Sequence, residues 1–95
     1  MQEYYIKESK RESERRQKAI NNMLIKSIIA THDVLKAARK NYEFAEDELI
    51  DYYLYEIKAN QAKLDYLIKK SKQNGIELDR IEKIQMIYLE ENQVV

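Results

Sequence analysis

With 95 residues the chain has room for one domain, and the absence of cysteine excludes disulfides and thiolate chemistry. Charged residues make up 36% and the mean hydropathy is −0.74, so much of the chain must be solvated helix face. A formal net charge of zero leaves no bulk demand for a strongly charged partner. No proline and one glycine argue against an all-β chain rich in tight turns. No apolar run approaches the roughly 18 residues of a membrane span, and the polar N-terminus lacks a signal-peptide core, so a cytoplasmic setting without membrane contact is expected.

Residues 1 to 8 carry a small apolar knot, Tyr4, Tyr5 and Ile6. Residues 9 to 18, SKRESERRQK, hold almost nothing apolar. Ser9 followed by Glu12 fits a capping box, which places a helix start here. Between 7 and 18 there are six basic and three acidic residues. The plain expectation is a solvated helix extension or a frayed arm. The sharper one is a phosphate-binding arm using Lys10, Arg11, Arg15 and Arg16.

The first core helix is expected over 20–45. Leu24, Ile28, Thr31, Leu35, Ala38, Tyr42 and Ala45 alternate steps of four and three, a heptad-like seam. A thinner line, Met23, Ala30, Ala37 and Phe44, recurs every seven residues on another side and implies contact from a second direction. The acidic run 46–48 is read as a reversal, because an antiparallel pair buries both apolar seams within the chain. The competing reading is one unbroken helix from about 10 to 74, roughly 90 Å or more in length.

The second helix, 48–74, is the most legible. Asp47 is a candidate N-cap, acidic residues cluster at the helix start, Lys69, Lys70 and Lys72 sit in its last turns, and Gly75 supplies a left-handed stop. At about 100° per residue, Ile50, Tyr53, Leu54, Ile57, Leu64, Leu67 and Ile68 share one side. Tyr52, Tyr55, Ala59, Ala62 and Tyr66 fall on the opposite side. Two opposed stripes call for cover from both directions, so a third helix or a second copy of the chain is expected on the tyrosine/alanine face. After Gly75, Asp79 and Glu82 repeat a cap-like spacing, and Ile81, Ile84, Ile87 and Tyr88 give a short apolar face. A third helix over 79–91 is the better reading, with a strand through IQMIYL as the alternative because of its β-branched content.

The chemistry-bearing residues form no catalytic or ligand signature. His32 is the single histidine and reads as a helix-surface or seam-edge residue, with no companion for a di-metal site. The acidic group Glu43, Glu46, Asp47, Glu48, Asp51 and Glu56 lacks the loop pattern of a calcium site and reads as helix-start electrostatics. There is no glycine-rich phosphate loop and no nucleophile motif. No enzyme activity, cofactor, metal or small-molecule substrate is expected. Eight tyrosines are many for this length. Those on the second helix share their face with alanine rather than Arg or Lys, which favours helix packing over stacking on nucleic-acid bases.

The residue order resembles the YaaL-like family of short bacterial proteins of unknown function. The resemblance rests on Leu49-Ile50-Asp51-Tyr52, on Tyr55 and Ala59 four apart, on Tyr66-Leu67 with a Lys-rich end before Gly75-Ile76, and on Ala38, Tyr42 and Phe44 ahead of an acidic turn. It covers about residues 28–76. It implies a cytoplasmic protein of Gram-positive, often spore-forming bacteria, with no assigned activity and no catalytic residues to transfer.

The expectation is therefore an all-α single domain over 1–95, a long antiparallel helical hairpin plus a short C-terminal helix, completed as a bundle by self-association. Its function would be non-enzymatic assembly through helix–helix contacts at Tyr52, Tyr55, Ala59, Ala62 and Tyr66, with a second copy or a partner protein opposite. The alternative is a small nucleic-acid-associated protein, binding weakly through Lys10, Arg11, Arg15, Arg16, Lys69, Lys70 and Lys72 at the basic open end of the hairpin.

Overall fold

A computed structural model describes the backbone of residues 2–93 and the side chains of residues 9–89. The side chains of Tyr4, Tyr5 and Ile6 lie outside the described residues. Three helices follow in order: α1, Gln2–Glu43; α2, Glu48–Gln73; and α3, Leu78–Gln93. α1 and α2 form an antiparallel hairpin, and α3 turns back to lie chiefly on α1. The described residues contain no strand, so IQMIYL is helical: its apolar residues repeat at helix spacing, and that periodicity outweighs their β-branching.

The hairpin forms where the seams meet. Ile28, Leu35, Leu64 and Leu67 make one buried cluster, joined by half-buried Leu24, Ile57, Ile68 and Ile84. Ala38, Thr31 and Ser71 are also buried. Short side chains there let the helices approach, and neither hydroxyl is orphaned. Thr31 Oγ1 donates to the Ser27 carbonyl at 2.7 Å and Ser71 Oγ to the Leu67 carbonyl at 2.7 Å, each one turn back in its own helix.

The reversal occupies 44–47, two residues earlier than the acidic run suggested. Phe44 and Ala45 donate to the carbonyls of Asn41 and Tyr42, tightening the end of α1 into three-residue steps. Asp47 stands at the N-cap position, but its side chain makes no capping bond. Its φ of 53° and ψ of −130° place it in a backbone region that suits glycine. The turn geometry, not the carboxylate, sets this helix start.

The other end of α2 follows its residues closely. Gly75 adopts φ 77°, its N–H reaches the Lys72 carbonyl, and the Ile76 N–H reaches the Ser71 carbonyl at 3.1 Å. This is a Schellman closure. It drops Ile76 into a second buried cluster with Ile25 and the fully buried Ile81, ringed by Leu24, Ile68 and Ile84. That anchor fixes where α3 begins and aims it along α1.

Several local expectations change. Ser9 lies inside α1, which begins at Gln2, so the Ser9–Glu12 spacing is not a helix start. Asp79 lies in the first turn of α3, while the Glu77 carbonyl accepts the first bonds from Arg80 and Ile81. Met23, Ala30, Ala37 and Phe44 are all exposed, and the second contacted side of α1 instead carries Leu24, Ile25 and His32, facing α3. Residues 9–18 are helical and exposed, a solvated extension of α1. Gln17 Nε2 reaches Asn74 Oδ1 at 3.3 Å, so α1 runs past the end of α2 from this level outward.

A candidate helix–helix interface

The steps of three and four along α2 place Tyr52, Tyr55, Ala59, Ala62 and Tyr66 on the face turned away from α1. The three tyrosines are 57%, 70% and 61% exposed, and both alanines are exposed. Of the two covers expected for this stripe, α3 or a second copy, the first is therefore corrected. The Gly75–Ile76 closure sends α3 to the opposite side of the hairpin, where Ile81 finds Ile25 and Ile76. Tyr52 leans edge-on against half-buried Tyr53, with ring centroids 5.0 Å apart at 77°. Charged strips flank the stripe: Glu56, Lys63 and Lys70 on one side, Asp51, Lys58, Asp65 and Lys69 on the other. In the single chain the stripe is an apolar, aromatic surface with small residues at its centre.

The basic residues gather as the hairpin reading requires. Lys69, Lys70 and Lys72 are exposed at the end of α2, level with Gln17. Lys10, Arg11, Arg15 and Arg16 are exposed on the extension beyond it. Their charge is diluted by acids on the same turns, and Arg16 lies 4.0 Å from Glu12. The acidic residues at the turn end form no metal-binding cluster among the described residues.

A third arrangement was invisible in the sequence. His32 stacks flat on Tyr88, with ring centroids 4.3 Å apart and planes 8° from parallel. The Tyr88 hydroxyl donates to Asp33 Oδ1 at 2.8 Å. His32 Nε2 is buried without a hydrogen-bond partner. Burial holds the His32 pKa below its ordinary 6.5, the Arg39 guanidinium lowers it further, and Asp33 opposes both. Nearby, Arg39 Nη2 approaches Gln61 Oε1 at 3.4 Å across α1 and α2. His32, Tyr88, Arg39 and Gln61 border a groove of about 270 Å³ at the three-helix junction, lined also by Leu35 and Leu64. Only the α3 fold-back brings Tyr88 to His32, and no spacing within either helix announces the pair.

Among the described residues the fold is three helices, with an aromatic stripe on α2 that the chain itself leaves exposed. No helix among the described residues is long and apolar enough to cross a membrane. No family model matches the chain, and neither does any curated protein or solved structure.

Proposed function

We propose that this chain is a non-enzymatic helical interaction module whose working surface is the Tyr52/Tyr55/Ala59/Ala62/Tyr66 face of α2. The observation that carries the reading is the bareness of that face after the chain's own third helix has docked elsewhere. Tyrosines bring large apolar rings with one wet end, and alanines between them let a second helix approach closely. The occupant is a helix of a second copy or of a partner protein. A cytoplasmic setting and kinship with the YaaL-like family belong to the same proposal, and they rest on the residue pattern rather than on the fold.

The test is light scattering coupled to size-exclusion chromatography over a concentration series. The wild-type chain should gain mass with concentration. Ala59→Arg should remain monomeric with unchanged helical circular dichroism, because a guanidinium at the centre of the stripe blocks close approach without touching the buried clusters. A wild-type chain that stays monomeric at every concentration and captures no helical partner removes the reading.

The basic open end favours one second reading, a weak nucleic-acid contact through Lys10, Arg11, Arg15, Arg16, Lys69, Lys70 and Lys72. Its support is the Gln17–Asn74 contact, which sets the extension beside the end of α2. Retardation of DNA or RNA that fades steeply with salt and survives Ala59→Arg would select it over the first.

A further inference from the structure

The geometry points to the occupant and its orientation: a second copy of this chain, lying antiparallel on the α2 stripe with the twofold axis beside Ala59. This inference rests on the proposed function above and makes it specific. Its warrant is the match of charge and side-chain size along the helix.

In an antiparallel pair related by a twofold axis, a flanking strip meets the same strip of the other copy in reverse order. With the axis beside Ala59, residues equidistant from 59 meet. Glu56 then lies within one residue of Lys63 of the second copy, and Glu48, on the stripe itself, lies level with its Lys70, with both contacts repeated by symmetry. Among the described residues none of these four charges is in an ion pair within the chain. A parallel pair sets one strip against the other: Asp51 comes towards Glu56 and Lys58 towards Lys63, both like-charged, and only Asp65 towards Lys70 is opposite in sign. The remaining strip opposes the antiparallel register at one point, where Lys58 meets its own mate beside the axis, a single like-charged contact that the two Glu56–Lys63 contacts outnumber; Asp51 falls between Asp65 and Lys69 of the second copy. Antiparallel helix dipoles add in the same direction.

Size agrees with charge. In the antiparallel register Tyr55 falls within one residue of Ala62 of the second copy, large beside small, and Tyr52 lies level with Tyr66. In a parallel register each tyrosine would meet its own mate, and the alanines would face each other across a gap. From Glu48 to Lys70 the stripe is about 33 Å long and about 10 Å wide, roughly 330 Å² on each copy. That is small beside the roughly 800 Å² per partner of a standard interface, so the dimer should dissociate on dilution.

The 95 residues contain no cysteine, which makes single-cysteine trapping clean. The probes are Ala59→Cys, Tyr52→Cys and Tyr66→Cys, oxidised mildly and read by mass under non-reducing conditions. Expected is a disulfide dimer of Ala59→Cys with itself. Tyr52→Cys and Tyr66→Cys should each stay uncoupled alone yet join one another when mixed. Two copies of position 52 lie about 21 Å apart along antiparallel helices, far beyond the roughly 7 Å that a disulfide spans. Self-coupling of Tyr52→Cys and Tyr66→Cys, each with itself, would overturn the orientation while leaving the docking face intact. A dimer whose light-scattering mass is indifferent to Ala59→Arg, or a chain monomeric throughout, would overturn both the orientation and the self-docking reading. Lys63→Glu gives an independent sign: in the antiparallel pair it weakens the dimer severalfold, and in a parallel pair it relieves a repulsion and strengthens it.

Discussion

Gly75 and Asp47 stand at the two ends of α2, both with positive φ, and only one is a residue suited to it. A Cβ at Gly75 would meet no atom within 4 Å, so Gly75→Ala is penalised through the backbone alone. It should lose about 1–2 kcal/mol in urea unfolding. At Asp47 the strain amounts to roughly 1–3 kcal/mol, offset in part by about 0.5–1 kcal/mol of extra chain entropy in a glycine variant. Asp47→Gly should therefore gain about 1 kcal/mol in the same assay. A loss there would mean the carboxylate contributes to the helix start in spite of its missing capping bond. His32 has a pH signature. Its folded pKa is lowered, chiefly by burial, so the unfolded chain takes the proton first. The stability linked to neutral His32 is full above 6.5 and is lost as pH falls through the lowered folded value. His32→Phe keeps a ring against Tyr88 and removes the titration. Melting temperatures at pH 8 and pH 5 should converge in the variant relative to the wild type, and parallel pH profiles would refute the lowered pKa of His32.

At the scale of helices, α3 is held by one deep contact. Ile81 is 0% exposed, wedged between Ile25 and Ile76. Ile81→Ala should cost about 2–5 kcal/mol and release Tyr88 from His32, which tyrosine fluorescence or near-ultraviolet dichroism would register. An unchanged Tyr88 signal would show that the His32 stack docks α3 on its own. The hairpin was legible because Ile28, Thr31, Leu35 and Ala38 repeat at helix spacing and are the residues the fold buries. The α2–α3 stop was legible because only Gly75 fits that backbone. The destination of α3 was not. It depends on Ile76 seating against Ile25, 51 positions away in the chain, and helix periodicity carries no information on such pairings. The reversal at 44–47 was displaced for a related reason, since it lacks the glycine that would have marked it.

Across the whole molecule, the radius of gyration is 18.5 Å, against about 12 Å for a compact chain of this length. The extents are 69 × 26 × 15 Å, a rod set by α1. Both buried clusters lie along α1 from Ile25 to Leu35, where the last turns of α2 and the start of α3 pack on it. Towards the turn, Tyr42, Phe44, Leu49 and Ile50 are exposed. Amide hydrogen exchange should therefore be graded along α2, fast over 48–57 and slow over 64–71. Uniform protection would mean that the turn half is covered in solution, as a docked second copy would do for its outer face.

From residue 9 to residue 43, α1 contains neither glycine nor proline, so its ladder of backbone bonds offers no swivel point. The charged extension and the hairpin must therefore tumble as one stiff shaft. In nuclear relaxation the amide vectors of α1, nearly aligned with the long axis, should share one slow correlation time, and the bend at 44–47 is the first place where that time departs.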